Sequence, residues 1–269
     1  MGAFTVVTAA LYRDSAVVKR FEKSLRATGS TARLIYLTAP GALQGYLPGP
    51  GTEVREFQDV FSSSQAVCED RHRALIQVLK DLDDCDILWI DCADTLFQED
   101  PEIKLRNLSS DKLHVWEEPS HTKMKNSNPN MRWFSIFAKD NKEEIRKVFG
   151  KTILCAGVVY GPAEHFRTLV KKMCDTLDTV ERFITGMDQG CLMWLMQTDN
   201  EVHNITEVHR YPSPCVMHLD HVGKVDDSFP LMLGDSRIAI LHQINRHSEL
   251  WTLAEMLDWD ITADVVSVW

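Results

Sequence analysis

The chain lacks any apolar run near the ~20 residues of a membrane span, and no charged amino-terminal region leads into a long apolar stretch. It has no Cys-x-x-Cys pair. Its seven cysteines (Cys68, Cys85, Cys92, Cys155, Cys174, Cys191, Cys215) are scattered and odd in number, which excludes a disulfide framework and a tightly spaced zinc ligand set. A reduced, cytoplasmic setting is therefore expected. Asn107-Leu108-Ser109 and Asn204-Ile205-Thr206 match the glycosylation pattern but have no secretory signal beside them. Basic residues are in deficit, 29 Lys and Arg against 39 Asp and Glu, and the net charge of -10 excludes an extended nucleic-acid footprint. Neither an internal repeat nor a linker interrupts the chain. One domain over residues 1–269 is expected, with 248–269 as a carboxyl-terminal packing extension.

What is present is ordinary globular material, 44% hydrophobic and 25% charged, arranged as alternating strand and helix signals. Phe4 to Ala10 reads as a buried strand, and Ser15 to Ala27 as a helix with Val17, Val18, Phe21 and Leu25 on one side. Ala32 to Leu37 is a second strand, closed by a Gly/Pro-rich loop over Gly45 to Gly51. A helix follows over Cys68 to Leu82, then an apolar strand ending at Asp91. Further on, Leu113 to Glu117 and Ile153 to Tyr160 read as strands, Ala163 to Leu177 and Gly190 to Gln197 as helices, and Ile238 to Leu241 as a short strand. Pro119 to Arg132 is polar and reads as a mobile loop. The alternation predicts an α/β fold, a mostly parallel Rossmann-like sheet with helices on both faces.

The most informative segment is Asp86-Ile87-Leu88-Trp89-Ile90-Asp91-Cys92-Ala93-Asp94-Thr95-Leu96-Phe97-Gln98, an apolar strand that stops at two closely spaced carboxylates. At the carboxyl end of such a strand, side chains enter the crevice where open α/β sheets bind ligands. Paired carboxylates repel one another unless a cation, a base or a proton compensates. Two aspartates there can hold a hard divalent ion, which can in turn grip a diphosphate.

With FTVVTAAL at the start, IDCADTLFQEDP in the middle, ILCAGVVYG and GMDQGCL after it, and LHQINRH near the end, the chain resembles nucleotide-sugar glycosyltransferases of the GT-A fold. That group includes glycogenin-like enzymes and small viral or microbial relatives. That resemblance implies a metal-dependent transferase using a nucleoside diphosphate sugar, a UDP-sugar by expectation, with Mn2+ or Mg2+ and a glycan or other hydroxyl acceptor. The departures are specific. The usual Asp-x-Asp is replaced by Asp91-x-x-Asp94, near the Asp-x-Arg-Asp of some relatives but with Ala93 in place of Arg; Cys155 stands where many relatives carry Asn.

Within the resemblance, Asp94, Asp91 and His242 are the implied metal ligands, Asp91 serving either the ion or the donor ribose. Thr8, Ala9 and Ala10 mark the nucleoside position, where Tyr12 either stacks on the base or packs over the sheet edge. Arg73, like Arg71, faces nucleotide or solvent, and Arg246 and His247 either meet the diphosphate or lie in surface contacts. Asp188 and Gln189 are the implied catalytic pair beside the transferred sugar, leaning to a retaining outcome, although Asp188 also suits a helix N-cap. Glu117 and Glu118 are alternative base candidates. Gly157 and Gly161 permit close approach of backbone to sugar or mark a bulge and a turn. The histidines of His218-Leu219-Asp220-His221 read as loop residues. Two rival functions follow from the same acids: a haloacid-dehalogenase-like phosphatase, whose Asp-x-Asp-x-Thr loop is one residue shorter, and a binding module without turnover.

Overall fold

The structure is a computed structural model describing residues 3–10, 15–58, 60, 67–119, 121–181, 184–220, 230–248 and 250, with residues 67–69 in backbone only. Its first half runs β1 (Ala3–Ala9), α1 (Ser15–Ala27), β2 (Arg33–Thr38), β3 (Thr52–Glu56), α2 (Val67–Val78), β4 (Cys85–Ile90), β5 (Thr95–Phe97), α3 (Pro101–Leu105) and β6 (Leu113–Glu117). Then come α4 (Asn128–Phe137), α5 (Lys142–Val148), β7 (Leu154–Pro162), α6 (Ala163–Leu177), α7 (Met187–Thr198), α8 (Asn200–Ile205) and β8 (Thr206–His209). Short strands β9 (Val216–His218), β10 (Met232–Leu233), β11 (Ser236–Arg237) and β12 (Ile240–His242) close the described chain.

Seven strands form the main sheet in the order β3-β2-β1-β4-β7-β6-β8, and only β7 runs against its neighbours. The mostly parallel α/β expectation holds. Alternation along each strand sorts the core into two layers. Val7, Ile35 and Ile87 point to the face covered by Leu75 of α2, Phe166 of α6 and Leu192 of α7. Val6, Leu34 and Leu88 point to the other face, under Phe21 of α1 and against Phe97, Val216 and Ile240. Because both faces are covered, β1, β2 and β4 are continuous apolar runs with almost every residue buried.

The chain leaves β1 towards β2 on one side, while β4 lies on the other, so the strand order reverses between β1 and β4. Ligand crevices form at the carboxyl ends of strands at such a switch point. Ala9, Ala10 and Asp91 sit there.

A second sheet, β5-β12-β9, packs over that edge. His242 is the register partner of Thr95 on one side and of His218 on the other. Pairing thereby carries a residue 148 positions downstream to the side of Asp94.

Two expectations change. Pro119 to Arg132 is not an irregular loop: Met124–Asn126 forms a 3-10 turn and Pro129 opens α4, whose Phe134 is fully buried. The apolar residues that make α4 amphipathic, Met131, Trp133, Phe134 and Phe137, lie largely beyond Arg132, so the polar first turn concealed the helix. His218 belongs to β9 rather than to a loop. Of the expected extension over 248–269, only residues 248 and 250 are described.

Candidate active site

Asp91 follows β4 directly, and its amide donates to the Gly157 carbonyl of β7 at 2.9 Å, which fixes the first carboxylate at the sheet edge. A tight turn then brings Thr95 Oγ1 back onto the Asp91 carbonyl at 2.5 Å. From α1, the buried Arg20 reaches the same turn and donates to the Ala93 carbonyl at 2.5 Å. The Ile244 amide donates to the Asp94 carbonyl at 3.1 Å and ties the turn to the end of β12. The two-residue gap between the aspartates is thus held in a pinned turn.

His242 Nε2 lies 3.5 Å from Asp94 Oδ1 and 3.8 Å from Asp91 Oδ2. The three donor atoms fall within 4.8 Å of one another. Nε2 is buried and has no hydrogen-bond partner among the described residues, an arrangement costly to leave unmade. On the other side of the ring, His242 Nδ1 meets His218 Nδ1 at 2.9 Å and Cys155 Sγ at 3.6 Å.

Charge follows from this packing. Burial would raise the Asp91 carboxyl, but the Arg71 guanidinium and His242 hold it far below the usual carboxylate range. Burial, assisted by Asp91, raises Asp94, with His242 opposing. Burial acts to lower His242, and Cys155, Asp94 and Asp91 together outweigh it and raise the imidazole well above the usual histidine range. Burial pushes His218 well below it. His242 Nδ1–H is therefore the donor and His218 Nδ1 the acceptor; without a metal Nε2–H also faces the two acids, and an ion bound there would displace that proton. Two carboxylate oxygens and one buried imidazole nitrogen without a hydrogen-bond partner fit a divalent cation such as Mn2+ or Mg2+.

Gly157 makes this convergence possible. A Cβ there would lie 2.5 Å from His242 Cε1, 2.7 Å from Nε2 and 2.8 Å from Asp91 Oδ2. The close approach at this glycine, expected towards sugar, is to the acid and histidine side chains.

Arg71, from α2, bridges two carboxylates, donating through Nη1 to Asp91 and through Nη2 to Asp188. Asp188 is buried and lies inside α7, whose cap residue is Gly186 in the left-handed conformation, so it does not cap the helix. Gln189 is held at both ends: Nε2 donates to Asn130 Oδ1 at 2.8 Å and to Glu118 Oε1 at 3.1 Å, while Oε1 accepts the Ala156 amide at 3.3 Å. The packing of Trp133 against Gly186 and Gly190 brings α4, and with it Asn130, onto α7.

The other expected residues divide. Thr8 is buried; the Ala10 amide donates to the Leu37 carbonyl and its own carbonyl accepts Thr38 Oγ1, so the strand end is braced from β2. Arg73 does not turn to the crevice: its exposed guanidinium pairs with Asp178 beyond α6, one helical face away from Arg71. Arg246 is exposed, 3.8 Å from Asp220. It still lies near enough to Asp94 to favour that carboxylate. His247 is buried against the Leu219 carbonyl at 2.8 Å. Glu117 accepts from Thr152, and Glu118 is committed to Gln189. Tyr12 and His221 lie outside the described residues. Sequence reading undervalued Arg71, His218, Asn130 and Glu118, since nothing local in the sequence marks a residue that meets the site through a neighbouring element.

No protein-family model and no curated protein sequence matches the chain. Solved structures do. Galactosyltransferase LgtC in complex with donor and acceptor sugar analogs superposes with a TM-score of 0.56 at 14% identity, over 88% of this chain and 86% of LgtC. An active-site mutant of LgtC matches to the same extent. The apo-form glycosyltransferase GlyE of Streptococcus pneumoniae TIGR4 gives a TM-score of 0.57 at 16% identity, over 97% of this chain and 62% of GlyE. The architecture of this chain is therefore that of the GT-A glycosyltransferases.

Proposed function

We propose that the chain is a metal-dependent glycosyltransferase that moves a sugar from a nucleoside diphosphate, uridine diphosphate in the first instance, to a hydroxyl acceptor. One observation carries the reading: Asp91, Asp94 and the unpartnered Nε2 of His242 converge at the switch point of a GT-A sheet. These three side chains would hold Mn2+ or Mg2+. When bound there, such an ion stabilises the negative charge that develops on the departing diphosphate.

The remaining roles belong to this chain's own groups. Thr8, Ala9 and Ala10 shape the floor for the nucleoside, and Arg246, exposed beside Asp94, supplies a positive charge at the mouth for phosphate oxygens. Arg71 ties Asp91 and Asp188 to one guanidinium and so fixes the acidic centre relative to α7. Gln189 spends both amide hydrogens on Asn130 and Glu118 and turns its oxygen to the Ala156 amide, leaving that oxygen one further acceptor position for a sugar hydroxyl or a cationic anomeric carbon. Asp188 and Gln189 together support a retaining outcome, in which no carboxylate need deprotonate the acceptor at a distance from the donor. The phosphatase alternative is disfavoured because Asp91, its nucleophile, is engaged by Arg71.

The test is a thermal-shift screen of UDP-sugars with and without Mn2+, followed by nucleotide release. Ligand at about 100-fold above Kd stabilises the folded state by ~2.7 kcal/mol. A shift that needs both Mn2+ and the nucleotide-sugar, with metal-dependent nucleotide release, is expected. Phosphate release from simple monoesters would instead support the phosphatase, and binding without turnover a recognition module.

A further inference from the structure

At the opposite edge of the main sheet, β6 and β8 run parallel, with His114 the register partner of Glu207 and Trp116 that of His209. Glu207 and His209 are two residues apart on β8 and so share a face. His114 is fully buried, His209 half-buried, and the Glu207 side chain 48% exposed. His114 Nδ1 is 2.8 Å from His209 Nε2 and 3.8 Å from Glu207 Oε2, and the three donor atoms lie within 4.8 Å of one another.

The surroundings orient these donors. His114 Nε2 meets the Ser109 carbonyl at 2.8 Å, so that nitrogen carries the hydrogen and Nδ1 carries the lone pair. Ser109 Oγ donates to Glu207 Oε2 at 2.9 Å. Both rings are stacked, His114 on Tyr160 and His209 on Trp116, with interplanar angles of 22° and 23°. Burial holds both imidazoles below the usual histidine range, which leaves them neutral; without a metal, His209 Nε2–H donates to His114 Nδ1 at 2.8 Å, and a bound ion would replace that hydrogen, His209 carrying it on Nδ1 instead.

We propose that His114 Nδ1, His209 Nε2 and Glu207 form a second cation site, one that takes zinc or a similar borderline divalent ion, with water completing the shell from the exposed side. Zinc binds imidazole nitrogen at ~2.0–2.1 Å, which spaces tetrahedral donors about 3.4 Å apart. His114 Nδ1 and His209 Nε2 need to part from 2.8 Å, and Glu207 to close on His114 from 3.8 Å, by about half an ångström each. Two nitrogens and one carboxylate favour zinc, whereas the oxygen-rich set at Asp91 and Asp94 favours Mn2+ or Mg2+. The second site shares no residue with the first.

The experiment is titration of the metal-free full chain with zinc alone against a chromophoric chelator. His242 is common to the other two donor clusters found among the described residues, so His242→Ala isolates this one. The His242→Ala chain is expected to retain one zinc, and adding His209→Ala with Glu207→Gln to weaken that zinc at least tenfold. His209 and Glu207 are not fully buried, so this pair leaves the core intact; circular dichroism checks it. If His242→Ala does not fold, the His209→Ala and Glu207→Gln pair in the otherwise unaltered chain should lower the zinc stoichiometry by one. Unchanged zinc affinity or stoichiometry on removing His209 and Glu207 overturns the proposal.

Discussion

His242 and His218 face each other through their Nδ1 atoms at 2.9 Å, as register partners on adjacent parallel strands, β12 and β9. His218 is thereby a positioning residue: it accepts the Nδ1 hydrogen of His242 and so presents Nε2 to Asp91 and Asp94. Replacing it by Phe keeps ring volume and removes the acceptor. Hydrogen-bond partners that orient a metal-ligating histidine are worth about 10–100-fold in metal affinity. His218→Phe should weaken Mn2+ by that range while the unfolding midpoint changes little; Mn2+ affinity equal to that of the unaltered chain would remove His218 from the site.

Gly157 tests the same site sterically. In Gly157→Ala the new methyl would stand 2.5 Å from His242 Cε1 and 2.8 Å from Asp91 Oδ2, so either side chain must leave its place. Overpacking a tight interior costs typically ~1–3 kcal/mol. The variant should lose Mn2+ binding and metal-dependent nucleotide release under conditions where it remains folded. Retained Mn2+ affinity would mean that Asp91 and His242 do not share an ion.

Arg71 holds two acids, one of them the buried Asp188. Arg71→Ala strands that carboxylate, and breaking a buried pair from one side typically costs ~3–5 kcal/mol. Denaturant unfolding should report a loss of that order, partly restored when Asp188→Asn is added. A loss below about 1 kcal/mol, or no restoration in the double variant, contradicts the bridge.

Acid sensitivity should follow His209. Its imidazole is lowered from 6.5 by burial first and by His114 second, so the unfolded chain takes up that proton before the folded one does. Its contribution to stability is complete above about pH 6.5 and is lost as pH falls through the folded value. His242 acts with the opposite sign: raised in the fold, it stabilises fully below that pH and loses its contribution as pH rises through its folded value. In zinc-free buffer, the stability difference between the unaltered chain and His209→Gln should be flat above pH 6.5 and shrink below it. A pH-independent difference would contradict a buried, neutral His209.

What the sequence determined by itself is the layered architecture and the acidic edge. Strands buried on both faces must be apolar throughout, and helices with one buried face must be periodic, so β1, α1, β6 and α6 are legible from residue spacing alone. An apolar strand ending in Asp91 and Asp94 is legible for the same reason. The tertiary structure decided which distant groups meet those acids. Strand pairing, not sequence proximity, sets His242 beside Thr95 and His218, and the packing of α2 against α7 and β4 lets Arg71 rather than Arg73 reach both Asp91 and Asp188. Two residues along a helix is a rotation of roughly 200°, enough to send one arginine into the crevice and the next to solvent. Local pattern carries no information about such contacts, because they depend on how elements far apart in the chain are placed in space.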